Sequence, residues 1–250
     1  GTIYGATWGS ASNATIDYSS SSGSTLTFNY TVAAGHSSSD LDYSSTNALT
    51  LNGGTITDAS GNAAILTLPS PGATNSLGTN KALVIDGAAP AMAITAANSG
   101  GIAINSGSTT NDGSLTVTFI SGESTSNFVS TDITVTGGSI SSFSGSGTTY
   151  TAIFTPSADG ATTIDVAAGT FTDAAGNDNT AAAQYTWTYD STPPTISSVS
   201  LASDNSTIVV TMSEACYRTA DGDTLQVTDF ELTPIIGGTA TLSSATPSSI

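Results

Sequence analysis

Apolar and polar residues alternate along several short segments of this chain. The clearest example is 25–32, where Leu26, Phe28, Tyr30 and Val32 are separated by threonine and asparagine. The same period of two recurs at 115–119, 133–135, 185–189 and 208–212. Because successive side chains of a β-strand point to opposite faces, this period predicts strands with one face toward a core and the other toward solvent.

Clusters of glycine, serine and asparagine separate these segments at roughly strand-length intervals. Examples are Asn52-Gly53-Gly54, Gly137-Gly138 and Gly145-Ser146-Gly147. Such clusters favour tight turns between strands. No segment shows the apolar stripe of an amphipathic helix, so the sequence predicts an all-β fold built from antiparallel β-sandwich modules.

Internal repetition divides the chain into modules. The sequence of 54–62, Gly-Thr-Ile-Thr-Asp-Ala-Ser-Gly-Asn, recurs in similar form at 169–177, 115 residues later. An aspartate precedes a proline by four residues at Asp86 and again at Asp190, and proline ends a strand and stiffens a linker. We predict a partial module at 1–89, a complete module at 90–192 and the first part of a further module at 193–250.

The partial modules at the two ends leave two interpretations open. A module with only two or three strands has unpaired sheet edges. Either the chain is a fragment of a longer protein, or a neighbouring identical subunit completes the sheet by strand addition.

The charge of the chain is strongly one-sided. Nineteen acidic residues stand against Lys81 and Arg218, giving a formal net charge of −17. This charge excludes nucleic acid as a partner and offers no basic patch to an anionic bilayer. No apolar run is long enough to span a membrane, and the single cysteine, Cys216, rules out an intrachain disulfide framework. A metal cation is therefore the expected charged ligand.

Calcium fits this composition best, because it binds oxygen ligands from aspartate, glutamate, asparagine and backbone carbonyls. For the central module we predict the ligands Asp86, Glu123, Asp173 and Asn177, with Asp86 contributed by the preceding linker. For the next junction we predict the ligands Asp190, Glu214 and Asp229. The competing interpretation is that these residues only form turns, since none of their spacings matches an EF-hand loop.

Catalytic chemistry has little support in the sequence. His36 is the only histidine, and it follows Gly35 in an apparent turn. Asp40 and Asp42 form a pair of carboxylates, but nothing places a further acid opposite them across a cleft. The chain also lacks the common hydrolase, nucleotide-binding and zinc motifs, so we predict that it is not an enzyme.

Three aromatic residues share one face of a predicted strand, namely Tyr185, Trp187 and Tyr189. On a surface they would form a platform on which sugar rings stack. Sandwich domains more commonly bury one such tryptophan, and the alternation predicts burial of this whole face.

The segment from Ile133-Thr134-Val135 through Asp173-Ala174-Ala175-Gly176-Asn177 to Asp190-Ser191-Thr192-Pro193-Pro194 resembles the bacterial immunoglobulin-like repeats of giant extracellular adhesins. Residues 31–86, with Leu83-Val84-Ile85-Asp86, resemble the cadherin-like repeats that accompany them. Residues 193–250, with Ser213-Glu214-Ala215, resemble the start of another repeat. The resemblance implies tandem immunoglobulin-like sandwiches in an extracellular protein with an adhesive or structural role.

The leading functional expectation is a structural repeat segment of a secreted bacterial cell-surface protein, acting as a spacer or filament building block and stiffened by calcium at its junctions. Its partners would be neighbouring modules or identical subunits. Two alternatives remain open, namely a module that binds a cell-surface glycan or another cell, and an accessory module of a large secreted hydrolase. An exposed aromatic cluster would favour the glycan-binding alternative.

Overall fold

The computed structural model describes residues 2–4, 15–51, 53–204, 207–218, 223–226 and 229–230. The chain divides into two compact units, Gly1–Asp190 and Ser191–Ile250. No helix among the described residues is long and apolar enough to cross a membrane.

Strands are the main regular elements among the described residues. In chain order they are β1 (Thr2–Tyr4), β2 (Thr15–Ser22), β3 (Thr25–Phe28), β4 (Ser37–Ser38), β5 (Leu49–Thr50), β6 (Ile85–Asp86), β7 (Met92–Ala97), β8 (Ala103–Ile104), β9 (Thr109–Thr110), β10 (Leu115–Thr125), β11 (Ile133–Thr136), β12 (Gly138–Pro156), β13 (Gly160–Val166), β14 (Tyr185–Tyr189), β15 (Ile196–Leu201) and β16 (Ile208–Met212). The helical segments of the described residues are α1 (Leu77–Asn80) and a 3-10 turn at Ser130–Asp132. The predicted all-β fold is confirmed.

Strands β7 to β14 form a sandwich of two four-stranded sheets. One sheet has the strand order β12-β10-β7-β8 and the other has the order β11-β13-β14-β9. Every pairing is antiparallel except that between β14 and β9. The antiparallel sandwich that the sequence predicts is thus present in this part of the chain.

The core of the sandwich lies between the two sheets. Its most deeply buried side chains are Leu115, Val117, Phe119, Phe154, Ile164, Val166, Phe171 and Trp187. Burying one such side chain contributes about 1.5–3 kcal/mol to folding, so this cluster dominates the stability of the sandwich. The alternation along β10 and β14 therefore corresponds to a buried face, as the sequence predicts.

The segment before the sandwich has a much smaller core. Leu41 is buried there against Tyr30, Leu83 and Ile85. The prediction of a single strand over 25–32 with one buried face is wrong, because β3 ends at Phe28 and Val32 is 44% exposed. Beyond β3 the Tyr30 ring stacks on His36, where the chain turns back through Ala33.

In the second unit, β15 and β16 form an antiparallel pair with Val199 opposite Val210. The strand predicted at 208–212 is present. Its apolar side chains are not buried by the described residues, since Ile208 is 59% and Val210 is 50% exposed. Residues 231–250, which belong to the module predicted at 193–250, lie outside the described residues.

Candidate metal centre

Three carboxylates converge at one end of the sandwich. One oxygen each of Asp86, Glu123 and Asp173 lies within 4.8 Å of the corresponding oxygens of the other two. Asp86 ends β6, Glu123 lies near the end of β10, and Asp173 lies in the connection between β13 and β14. Three elements that are distant in the sequence therefore build this cluster, which we call the acidic cluster.

A tight turn positions Asp173. Its carboxylate accepts the backbone N–H of Asn177 at 2.9 Å and the side-chain Nδ2–H of the same residue at 2.9 Å. The Asp173 N–H donates to the Asn177 carbonyl at 3.2 Å, and Gly176 has a φ of 91°. Because this φ lies in the left-handed region, glycine is favoured there. The sequence Asp-x-x-Gly-Asn thus encodes the turn locally.

An irregularity in β10 positions Glu123. The pairing of β10 with β12 is interrupted between Ile120 and Thr125, and Glu123 lies within this interruption. Thr125 then forms an antiparallel bridge with Asp173, which brings the end of β10 against the turn. Bulges of this kind redirect a side chain at the rim of a sheet.

Asp86 is held by the segment that precedes the sandwich. Strand β4 pairs with β6 so that Ser37 lies opposite Asp86. The next residue, Gly87, donates to the His36 carbonyl at 2.7 Å and accepts the Gly35 N–H at 2.7 Å. A Cβ on Gly87 would lie 2.5 Å from the Ala33 carbonyl oxygen, so this close approach requires glycine. Sequence reasoning did not single out Gly87.

Asn177 joins the two sides of the site. Its Nδ2–H donates both to the Asp173 carboxylate and, at 3.0 Å, to the backbone carbonyl of Asp86. An amide nitrogen is a donor and does not bind a cation. In this arrangement Asn177 positions Asp86 relative to Asp173, while only its Oδ1 atom could serve as the predicted ligand.

The electrostatics of the acidic cluster favour a cation. Burial raises the pKa of Glu123, and the negative charges of Asp86 and Asp173 and a hydrogen bond with Asp173 raise it further. Burial also raises the pKa of Asp173, but hydrogen bonds from Asn177, Gly176 and Ala175 outweigh burial and lower it overall. Without a cation, Glu123 therefore retains a proton more readily than Asp173.

The donor set suits calcium or another hard cation. Calcium takes six to eight oxygen ligands, and carboxylates, backbone carbonyls and water commonly supply them. Turn formation alone accounts for the position of Asp173. It does not account for Glu123 and Asp86, which lie outside the turn and whose charges repel that of Asp173.

The acidic residues predicted at the next junction fall in different units. Asp190 belongs to the first unit, where its N–H donates to the Thr110 carbonyl at 3.1 Å. Glu214 and Asp229 belong to the second unit. Asp229 lies 3.4 Å from the Arg218 guanidinium and accepts the N–H of Gln226 at 2.9 Å. A metal site at this junction stays a prediction.

The other residues considered for catalysis, His36 and Asp42, make hydrogen bonds within the fold. The Nδ1 atom of His36 accepts the Ala33 N–H at 3.2 Å and lies 2.8 Å from the Tyr30 hydroxyl. Asp42 accepts the N–H groups of Tyr43 and Gly72. Burial raises the pKa of Asp42, but these hydrogen bonds, together with those from Ser76 and Gly78, outweigh burial and lower it overall. These contacts hold His36 in its turn and tie Asp42 to the loop at Gly72.

The aromatic face of β14 is turned inward. Tyr185 and Trp187 are buried and Tyr189 is half-buried. Trp187, only 1% exposed, packs edge-on against Phe154 with ring centroids 4.9 Å apart. The predicted burial is confirmed for Tyr185 and Trp187 and is partial at Tyr189, so the three rings do not form an exposed platform for sugar rings.

Comparison with protein families identifies the part of the chain that carries the acidic cluster. The family model described as bacterial Ig-like domain matches residues 86–189. This segment is similar to bacterial Ig-like domains. The match begins at Asp86 and includes Glu123, Asp173 and Asn177. The predicted resemblance to bacterial immunoglobulin-like repeats is confirmed for this segment.

The family gives a coarse functional assignment. Bacterial Ig-like domains are typically non-catalytic and commonly occur in surface proteins. No curated protein and no solved structure matches the chain. The cadherin-like resemblance of 31–86 and the module boundaries at 89 and 192 stay predictions.

Proposed function

We propose that this chain is a non-enzymatic structural segment of a secreted bacterial cell-surface protein. In this role it acts as a spacer or filament building block made of tandem modules. The bacterial Ig-like domain at 86–189 supports a structural surface module. Its neighbours would be further modules of the same chain or identical subunits.

We further propose that calcium stiffens the entry to the Ig-like domain. The supporting observation is that Asp86, which is paired with β4 of the preceding segment, reaches Glu123 and Asp173 of the sandwich. A cation held by all three carboxylates would connect the preceding segment to the sandwich. It would also relieve the repulsion among the carboxylates, so that binding would add to folding stability.

The alternative of a glycan-binding module loses its strongest candidate surface. Tyr185 and Trp187 of β14 are buried in the core, and Tyr189 packs half-buried against it. The alternative of an accessory module in a secreted hydrolase predicts a catalytic domain elsewhere in the parent protein. Sequencing the full reading frame distinguishes that alternative directly.

The calcium proposal is tested by thermal unfolding of the whole chain in excess calcium and in chelator. Calcium at one hundred times its Kd should stabilise the fold by about 2.7 kcal/mol, which corresponds to a rise in Tm of roughly 5–10 °C. Asp173→Asn should abolish the rise. Asp58→Asn is the matched control, because Asp58 makes the same turn contacts with Asn62.

Asp58→Asn should retain the full calcium-dependent rise in Tm. Identical unfolding curves of the natural chain with calcium and with chelator would contradict the calcium proposal. They would leave the proposal of a structural surface module in place.

A further inference from the structure

The inward face of β10 changes character toward the acidic cluster. Leu115, Val117 and Phe119 are buried in turn along this face. The next inward residue is Ser121, which is 3% exposed, and Glu123 follows two residues later. A serine thus occupies the last fully buried position before the site.

The hydroxyl of Ser121 has an unmet hydrogen-bonding capacity. Its Oγ atom is buried and has no hydrogen-bond partner among the described residues. Leaving a buried hydroxyl without a partner costs free energy, and an alanine of nearly the same size would avoid that cost. Thr125, the next polar residue on this face beyond Glu123, is satisfied by a 2.8 Å bond to Asn127.

Two neighbours of Ser121 offer its hydroxyl no hydrogen-bond partner. The preceding inward residue of β10 is Phe119, and the residue opposite on β7 is Met92, so both of these neighbours are apolar. The next residue on the same face is Glu123, which lies two positions along β10 and is half-buried. Ser121 therefore stands between the apolar core and the acidic cluster.

A second buried atom without a partner provides a useful contrast. The indole Nε1 of Trp187 also has no partner among the described residues. Trp187 lies on β14, in the opposite sheet, and packs against Phe154. Only the hydroxyl of Ser121 shares a strand face with a member of the acidic cluster.

We propose that Ser121 belongs to the cation site and contributes its hydroxyl oxygen on the core side of Asp86, Glu123 and Asp173. This inference rests on the calcium site proposed above and extends it. Calcium binds six to eight oxygen ligands, whereas the three carboxylates supply only three if each contributes one oxygen. A hydroxyl on the inner side adds a further oxygen ligand where the apolar core excludes water.

The test is calorimetric titration of the full chain with calcium chloride, together with Ser121→Ala. Removal of one oxygen ligand should raise the calcium Kd about tenfold or more. The Tm in chelator should stay unchanged or increase, because the variant loses a buried hydroxyl that has no partner. The matched control is Ser124→Ala, since Ser124 is exposed on the same strand.

The outcomes separate this inference from the proposal on which it rests. A raised Kd in Ser121→Ala with an unchanged Kd in Ser124→Ala supports the role of Ser121. Calcium binding that is equally tight in the natural chain and in Ser121→Ala overturns that role and leaves the three-carboxylate site standing. A natural chain that binds no calcium at millimolar concentration overturns both.

Discussion

The turns at 58–62 and 173–177 have nearly the same local structure in different surroundings. The carboxylate of Asp58 accepts the Asn62 N–H at 2.8 Å and its Nδ2–H at 2.8 Å, and Asp173 makes the equivalent bonds with Asn177 at 2.9 Å each. The glycine of each turn is left-handed, with φ values of 87° at Gly61 and 91° at Gly176.

The two turns differ in what surrounds the aspartate. Asp58 is exposed, whereas Asp173 is 7% exposed and joins Glu123 and Asp86. Asn62 donates its side chain back into its own turn, but Asn177 also reaches the carbonyl of Asp86. The motif therefore specifies a turn, and residues distant in the sequence make one of the two turns a candidate metal centre.

The largest effect is expected from moving Asp86 while both turns stay intact. Gly87→Ala places a Cβ 2.5 Å from the Ala33 carbonyl, so the pairing of 35–37 with 85–87 must shift. Overpacking of this kind costs about 1–3 kcal/mol, and displacement of Asp86 should also remove the calcium-dependent rise in Tm. Thermal unfolding with and without calcium measures both effects.

The control for this variant is Gly54→Ala. Gly54 has open space around its Cβ position and lies just before the Asp58 turn. It should change the Tm little and leave the calcium response intact. A Gly87→Ala chain with a full calcium response would show that the site does not need Asp86.

A smaller effect comes from straining the two turns equally. Gly61→Ala and Gly176→Ala each force alanine into the left-handed region, at a cost of about 1–2 kcal/mol. Neither substitution meets a steric clash, since no atom lies within 4 Å of either Cβ position. Calcium titration should show weaker binding for Gly176→Ala alone. Equal loss of calcium affinity in both variants would contradict the functional difference between the turns.

The sequence predicts much of the sandwich because the strand pattern depends only on residues that are close together in the chain. Leu115, Val117 and Phe119 alternate with threonine, and this alternation survives in the fold as the buried face of β10. The same pattern at 25–32 failed because Tyr30 stacks on His36 instead of facing a sheet core. Alternation predicts a strand face, but the opposing layer decides whether that face is buried.

The candidate site was partly visible in the sequence for a related reason. Asp86 and Asp173 stood out through the linker and turn motifs that contain them. Glu123 meets Asp86 and Asp173 where the pairing of β10 with β12 is interrupted. No local sequence pattern predicts that interruption. Ser121 gives a weak signal that could have been used, since a serine continues an inward row of apolar residues.

The smallest expected effect concerns the dependence of stability on pH. The pKa of Glu123 is raised in the folded chain, so between its unfolded and folded pKa values the folded state binds more protons than the unfolded state. In calcium-free buffer this residue should therefore reduce stability as the pH rises through that window. Glu123→Gln should remove this decline and give a slightly higher Tm at pH 7, while weakening calcium binding.

The pH measurement also sharpens the comparison of the two turns. Asp58 and Asp173 both have lowered pKa values, so each contributes stability above its unfolded pKa that is lost as the pH falls. Stability should therefore fall toward acid pH because of the aspartates of both turns. It should fall toward neutral pH because of Glu123. Tm measured from about pH 2 to 7 in buffer freed of calcium by a chelating resin separates the two trends, because the loss at the two aspartates lies below their unfolded pKa. A decline toward pH 7 that persists in Glu123→Gln would place its origin outside the acidic cluster.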